Sequence, residues 1–296
     1  MSKELAAHFE TIDPVVASIV AISNPYANIG GDHGSAFEVL ARSIASQQIS
    51  GLVARKIIER LMALHEGKFP TPAQLAADTP ESLRAVGFSF SKIAALKDLA
   101  AHYLDGRIPD DATLAALDDE AIIERCSAVR GIGRWTVQML LMFHFGRHDV
   151  LPADDFGVRH GFRLAYGLKG MPRPKALLAY GERWKPYRSA AAWYMWRAIE
   201  LHRDGKLPKR VGRAPRVEIE PPKAPKVPGT AAKVSKKTLG KAAAKPRGKA
   251  RAKVAPSAKA KAKVKVKVKV KAKTSSPRRG HKQRKPASPR ALAKPK

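Results

Sequence analysis

Two glycines lie close together in the stretch Val129-Arg130-Gly131-Ile132-Gly133-Arg134-Trp135-Thr136. Apolar residues at helical spacing flank it, from Ala121 to Ala128 and from Trp135 to about Phe145, which predicts two helices joined by a tight turn. Glycines let such a turn approach a partner closely, and the second helix presents unpaired amide N–H groups that suit phosphate. A Gly-x-Gly turn alone also fits a plain helix–helix connection. Together with Arg130, Arg134 and the Thr136 hydroxyl, it favours a clamp that holds a DNA backbone without reading its sequence.

The same helical periodicity runs through residues 1–205, which are long enough for one core or two lobes. Capping hydroxyls precede helical runs at Thr71, Thr79 and Ser91. Glycines that can end a helix follow such runs at Gly67, Gly87, Gly106 and Gly167. No segment of this body alternates convincingly between apolar and polar residues. We therefore predict an all-α body with one core or two lobes.

Charge divides the chain at residue 205. The 296 residues contain 56 Lys and Arg against 25 Asp and Glu, and residues 206–296 hold 32 of the former and two of the latter. This basic tail contains no aromatic residue, so it lacks the apolar surface that would offset its ordering entropy. We predict a disordered tail over 206–296 that attracts nucleic acid nonspecifically, because each neutralised phosphate releases counterions. A nuclear import signal is the competing interpretation.

Cysteine and histidine usage excludes several classes of site. The single Cys126 cannot form an intrachain disulfide, a four-cysteine iron–sulfur cluster or a Cys-rich zinc site. The nine histidines show no compact ligand spacing, so we expect no catalytic metal. No apolar signal region or membrane-spanning stretch is found, which argues against secretion and membrane insertion.

A pair of carboxylates follows the second hairpin helix, in Val150-Leu151-Pro152-Ala153-Asp154-Asp155-Phe156-Gly157-Val158-Arg159. Either Asp154 or Asp155 could simply cap the helix that carries Val158. From this stretch alone, capping is the default interpretation.

Further motifs follow in order along the chain: Ser46-Gln47-Gln48-Ile49-Ser50, Leu83-Arg84-Ala85-Val86-Gly87 with Lys92, and Arg183-Trp184-Lys185-Pro186-Tyr187-Arg188-Ser189 with Trp193 and Trp196. Together with the hairpin and the carboxylate pair, they resemble the helix-hairpin-helix Gly/Pro-Asp DNA glycosylase superfamily. Within it they resemble the 3-methyladenine DNA glycosylase II branch of alkylation repair. The resemblance covers about residues 10–205, for which it implies a two-lobed helical core, and leaves the tail outside.

The resemblance implies an enzyme that flips alkylated bases of the 3-methyladenine type out of duplex DNA and hydrolyses the N-glycosidic bond. The catalytic Asp of the family falls on Asp155, where it would stabilise the oxocarbenium-like sugar and orient or deprotonate water. Asp154 remains the alternative carboxylate, with a capping or supporting role. Bifunctional relatives carry a Lys where this chain has Trp135, so the resemblance implies a monofunctional hydrolase without lyase activity.

The resemblance also implies roles for neighbouring residues. Trp135 and Trp196 match the base pocket, where aromatic faces stack on electron-poor alkylated bases. Trp184, Tyr187 and Trp193 are further pocket candidates, with core packing as the alternative. Gln47 and Gln48 match the loop that inserts a wedge into the gap left by the flipped nucleotide. The hairpin residues expected on the DNA backbone are Gly131, Gly133, Arg134 and Thr136. No organic cofactor is implied, and the family's hairpin carbonyls hold a structural monovalent cation.

This chain begins close to the helical core, without the N-terminal β-rich layer of the best-known enzyme of the branch. We expect the tail to act instead as a DNA tether in a monomeric, cytoplasmic, nucleoid-associated protein, or a nuclear one in a eukaryote. Two alternatives stay open. One is a nonenzymatic nucleoid or DNA-binding protein in which the carboxylate only caps a helix, and the other is a glycosylase for another class of lesion.

Overall fold

The computed structural model describes residues 2–26, 34–209 and 215–221, which form thirteen α-helices and a 3₁₀ turn at Glu182–Trp184. The helices are α1 Ser2–Ile12, α2 Pro14–Ile22, α3 Ala36–Ser46, α4 Gly51–Ala63, α5 Pro72–Ala77, α6 Pro80–Val86, α7 Phe90–Leu104, α8 Asp111–Ala115, α9 Asp119–Ser127, α10 Arg134–Phe143, α11 Phe156–Ala165, α12 Pro174–Gly181 and α13 Arg188–Arg203. Within these residues the β-structure is a single antiparallel bridge between Pro172 and Ile219. The all-α prediction is confirmed.

Most of the expected helix boundaries are found where the sequence places them. The Thr71 and Thr79 hydroxyls cap α5 and α6. Gly87 ends α6 with a left-handed φ of 119°, which only glycine adopts without strain. The expected cap at Ser91 is wrong, because Ser89 holds the extended conformation and accepts a hydrogen bond from the Lys92 amide, while Ser91 already lies inside α7.

The helices form two groups, as the two-lobed prediction requires. In one group, α3 and α4 pack with α6 and α7, and α5 packs on α7. In the other, α11 lies against α13, which also contacts α2, while α1 packs on α2. The chain therefore begins in the second group, builds the first, and returns. Helices α9 and α10 follow the first group, and α10 packs on both α9 and α3.

The predicted start of the disordered tail at residue 206 needs correction. The Arg173 amide donates to the carbonyl of Glu218 and the Glu220 amide donates to that of Met171, so residues 215–221 form a strap on the body. Arg159 of α11 is ion-paired with Glu220. Composition did not predict this contact, because it averages over the whole basic segment. The two acidic residues of the segment, Glu218 and Glu220, lie together and both pair with arginines of the body. The remaining tail, residues 222–296, lies outside the described residues, and so does its predicted disorder.

Candidate active site

The hairpin between α9 and α10 has the geometry that its glycines predict. Asp118 caps α9 by accepting a hydrogen bond from the Ala121 amide at 2.8 Å. Gly131 adopts a φ of 79°, a conformation that favours glycine. Gly133 precedes α10 and, having no side chain, leaves the first amides of this helix without a side-chain cap. The start of α10 is therefore open to an external acceptor.

The side chains of the hairpin are less available than the sequence suggested. Arg134 makes a two-pronged ion pair with Glu120, with the shorter N–O distance at 2.5 Å. The hydrogen bond from Arg134 lowers the pKa of Glu120, so this carboxylate is charged at neutral pH. Thr136 is only 8 % exposed, so its hydroxyl is largely withdrawn from the surface.

Asp155 lies at the start of α11 and accepts hydrogen bonds on both carboxylate oxygens. Its Oδ1 accepts from the Val158 amide at 2.6 Å and from the indole nitrogen of Trp196 at 2.8 Å. Its Oδ2 accepts from the indole nitrogen of Trp135 at 2.8 Å. Three donors thus fix the carboxylate where α10, α11 and α13 meet. The structure brings together the three residues that the sequence placed at the centre of the site.

The roles expected for Asp154 and Asp155 differ from the observed ones in one respect. The capping role assigned to Asp154 belongs to Asp155, because the extended backbone at Asp155 aims Oδ1 at the Val158 amide. Asp154 is exposed and lies beside Arg134 in a cleft of about 590 Å³. Capping does not exclude chemistry for Asp155, because Oδ2 faces Trp135 rather than the helix.

Two glycines of α11 allow Trp196 to reach Asp155. A Cβ on Gly157 would lie 2.7 Å from Cδ1 of Trp196, and one on Gly161 would lie 1.8 Å from the carbonyl oxygen of Met195. Both distances are far below van der Waals contact. Glycine at 161 therefore lets the backbone of α13 approach α11 this closely, and glycine at 157 leaves room for the Trp196 indole. Sequence reasoning missed both residues, although their spacing of four places them on one face of a helix.

Phe143 is another residue that sequence reasoning missed. Its ring stacks on Trp196 with centroids 6.0 Å apart and planes inclined by 28°. It also lines a cavity of about 700 Å³ between α3 and α4. Phe143 therefore links the indole that holds Asp155 to a recess of the first helix group. As the last residue of an apolar helix, it carried no signal beyond core packing.

The remaining aromatic candidates are in contact with other parts of the fold. The Tyr187 ring meets His8 edge-on at 5.0 Å, and the Trp193 ring meets Tyr26 at 6.0 Å. Trp184 is fully buried and donates to a carboxylate oxygen of Asp13 at 2.8 Å. These contacts favour the packing alternative for all three.

The loop between α3 and α4 lies against the hairpin. The Gln47 side-chain amide donates to the Gly131 carbonyl at 2.8 Å. Gln48 is exposed and has a φ of 58°, which is uncommon for a residue with a side chain. A strained, exposed residue at the tip of a tethered loop is suited to insertion into a partner.

Within the described residues, no helix is both long and apolar enough to cross a membrane. The same residues contain no group of three or more His, Cys, Asp or Glu side chains placed to hold a metal ion.

Comparison with protein families gives one match, over residues 41–186, to the HhH-GPD superfamily of base excision DNA repair proteins. DNA-3-methyladenine glycosylase 1 of Schizosaccharomyces pombe is 41 % identical over 166 residues, which cover 56 % of this chain and 73 % of the relative. An alkylbase DNA glycosidase-like protein of the same yeast is 30 % identical over 206 residues, covering 69 % of this chain and 97 % of the relative.

Solved structures of similar fold include the S. pombe 3-methyladenine DNA glycosylase in complex with abasic DNA. It has a TM-score of 0.60 and 36 % identity, and the match covers 67 % of this chain and 97 % of that one. A DNA-3-methyladenine glycosidase from Bacillus halodurans has a TM-score of 0.60 and 31 % identity, covering 67 % and 91 %.

Proposed function

Because this chain belongs to the HhH-GPD superfamily of base excision DNA repair proteins, we propose that it is a DNA glycosylase for alkylated bases of the 3-methyladenine type. Its substrate is double-stranded DNA that contains such a base. The observation that carries the proposal is the carboxylate of Asp155, held by the indole donors of Trp135 and Trp196 beside an open hairpin.

Asp155 is the proposed catalytic residue. Cleavage of the N-glycosidic bond leaves positive charge on the sugar, and a fixed carboxylate stabilises that charge without having to reorganise. The same carboxylate can orient water and accept its proton as the water attacks the sugar. Trp135 and Trp196 position the Asp155 carboxylate, since each indole donates a hydrogen bond to a different carboxylate oxygen.

The base would stack on the aromatic side chains around this carboxylate. Trp135 is 48 % exposed although it is hydrogen-bonded to Asp155, so one face of its indole is open. Alkylated purines are cationic or electron-poor, and an indole face attracts them more strongly than a normal base. Trp196, backed by Phe143, supplies the second aromatic wall.

The hairpin and the neighbouring loop would hold the duplex around the flipped nucleotide. The amides at the start of α10 would donate hydrogen bonds to a backbone phosphate, and Gln48 would fill the gap left in the base stack. The hairpin also fits a structural monovalent cation, because carbonyl oxygens such as that of Gly131 are ligands for hard cations and a bond from Gln47 leaves a second lone pair. Such an ion would hold the turn rigid and takes no part in the chemistry.

We further propose a monofunctional reaction. A lyase needs an amine that attacks the sugar, and the first turn of α10 presents the Trp135 indole at that place. The protein would act as a monomer on the nucleoid, or in the nucleus of a eukaryote, with its basic tail as a tether.

The test is base release from methylated duplex DNA by the full-length protein and by Asp155→Asn, with free 3-methyladenine and strand cleavage both measured. Asparagine keeps an oxygen to cap α11 and removes the charge. We expect release by the parent without strand cleavage, and a loss of about a hundredfold or more in the variant. A parent that binds DNA but releases no base would favour the nonenzymatic alternative, for which the capping bond of Asp155 is the supporting observation. If the parent released only other damaged bases, the protein would instead be a glycosylase for another class of lesion.

A further inference from the structure

A small recess lies outside the Asp155 site, where the α3–α4 loop, the start of α7 and the hairpin meet. Its volume is about 180 Å³, enough for a phosphate group. The lining residues that matter here are Gln47, Ser89, Ser91, Lys92, Arg130 and Gly131.

Two basic residues line this recess, and both have hydrogen-bonding capacity left over. Lys92 Nζ donates to the Ala45 carbonyl at 2.6 Å, which uses one of its three hydrogens. The backbone amide of Arg130 donates to Asp98. Within the part of the chain that the structure describes, no ion pair of the Arg130 guanidinium is found. Arg134, the cation that the sequence favoured, is instead held by Glu120.

Neutral donors complete the lining. Ser89 Oγ accepts from the Lys92 amide and lies 3.0 Å from Ser91 Oγ. Whichever serine donates to the other, one hydroxyl hydrogen remains for a ligand. The Gln47 amide uses one hydrogen on Gly131 and keeps another. No carboxylate lines the recess, and the neighbouring Asp98 is bonded to the Arg130 backbone.

We propose that this recess binds one backbone phosphodiester of the DNA, next to the step at which Gln48 inserts. The proposal rests on the proposed function for the choice of DNA as the ligand. An anion with several acceptor oxygens matches a recess that offers two cations and several N–H and O–H donors. DNA is favoured over a free phosphate because the wedge loop and the hairpin both form the walls.

The test pairs one residue with one phosphate. Binding of the full-length protein is measured to duplexes with an abasic-site analogue, in which single phosphates around that site are replaced by neutral methylphosphonates. We expect one replacement to weaken binding of the parent about tenfold, as loss of a charge-assisted bond should. In Arg130→Gln the same replacement should cost less than in the parent, about threefold, since one of the two cations is already gone while Lys92 remains.

Arg203→Gln is the matched control, because Arg203 lies on the exposed last turn of α13 and its loss removes the same charge. Arg203→Gln should lose as much DNA affinity as the parent when the same phosphate is replaced. Equal penalties in Arg130→Gln and the parent at every position would overturn the proposal. Base release by the parent is measured separately. If the effect of the phosphate replacement depends on Arg130 but no base is released, the glycosylase activity is refuted and phosphate binding in the recess still stands.

Discussion

The indole nitrogen of Trp135 donates a 2.8 Å hydrogen bond to Oδ2 of Asp155. Trp135 belongs to the first turn of α10, the helix that the hairpin opens toward a partner. The proposed DNA-holding element and the proposed catalytic carboxylate are therefore joined by one side chain. A displacement of the hairpin would therefore disturb the hydrogen bond to Oδ2 of Asp155.

Replacing Trp135 by Phe should separate this hydrogen bond from aromatic stacking. The phenyl ring keeps a π-face for the base but cannot donate to Asp155. A hydrogen bond to a charged group is worth about 1.5–3 kcal/mol, so we expect base release to slow about tenfold to a hundredfold. The measurement is single-turnover release from methylated DNA. Trp135→Ala should be slower still, and equal rates for Phe and Ala would assign the whole effect to the hydrogen bond.

The two glycines of α11 should respond differently to alanine. At Gly161 the added Cβ meets the backbone of Met195, which cannot move aside, so we expect a loss of about 3 kcal/mol and a melting temperature lower by about 6 °C or more.

At Gly157 the added Cβ meets the Trp196 side chain, which can rotate away, and alanine is the better helix former. Gly157→Ala should therefore melt within about 4 °C of the parent yet release base about tenfold more slowly, because Trp196 leaves Asp155. Thermal melting and base release, measured on both variants, test the contrast. A Gly157→Ala protein with full activity would show that the Trp196 bond is dispensable.

These glycines mark the limit of what the sequence could predict. The hairpin, Asp155 and the two tryptophans belong to short motifs whose order along the chain resembles a known family, so the sequence could suggest them as a group. The contact of Gly157 with Trp196 spans 39 positions, and no local spacing reports how closely α11 and α13 approach. Phe143 was hidden for the same reason, since an apolar residue at a helix end has the same pattern whether it faces the core or a site.

One ion pair of the hairpin could not be predicted for a related reason. Arg134 follows Gly133 and looks free in the sequence, whereas Glu120, its partner, belongs to the preceding helix. Pairing between two helices across a turn depends on their crossing geometry, which composition does not contain.

Replacing Glu120 by Gln should release Arg134 toward the DNA. The variant loses one negative charge and frees a guanidinium beside the hairpin, so binding should tighten and the slope of log affinity against log salt should steepen by about one. Titration of an undamaged duplex at several salt concentrations gives both quantities. Adding Arg134→Gln to this variant should restore the parental slope. No change in slope on Glu120→Gln would mean that Arg134 already contacts DNA in the parent or lies too far from it.

The strap should divide the C-terminal segment into a stabilising part and a DNA-attracting part. A variant that ends at Pro221 keeps the Glu220–Arg159 and Glu218–Arg173 pairs, whereas one that ends at Lys209 loses both. Arg159 is only 11 % exposed as a side chain, so leaving it unpaired should cost about 1–2 kcal/mol, between surface and buried pairs. We expect the shorter variant to melt about 2–6 °C below the parent and the longer one to melt at the same temperature as the parent.

Both variants should bind DNA more weakly, with a shallower slope of log affinity against log salt, because both lack the basic residues beyond Pro221. If the variant ending at Pro221 kept the parental affinity and slope, the tail would not be a tether, and if both variants melted alike, the strap would not support α11.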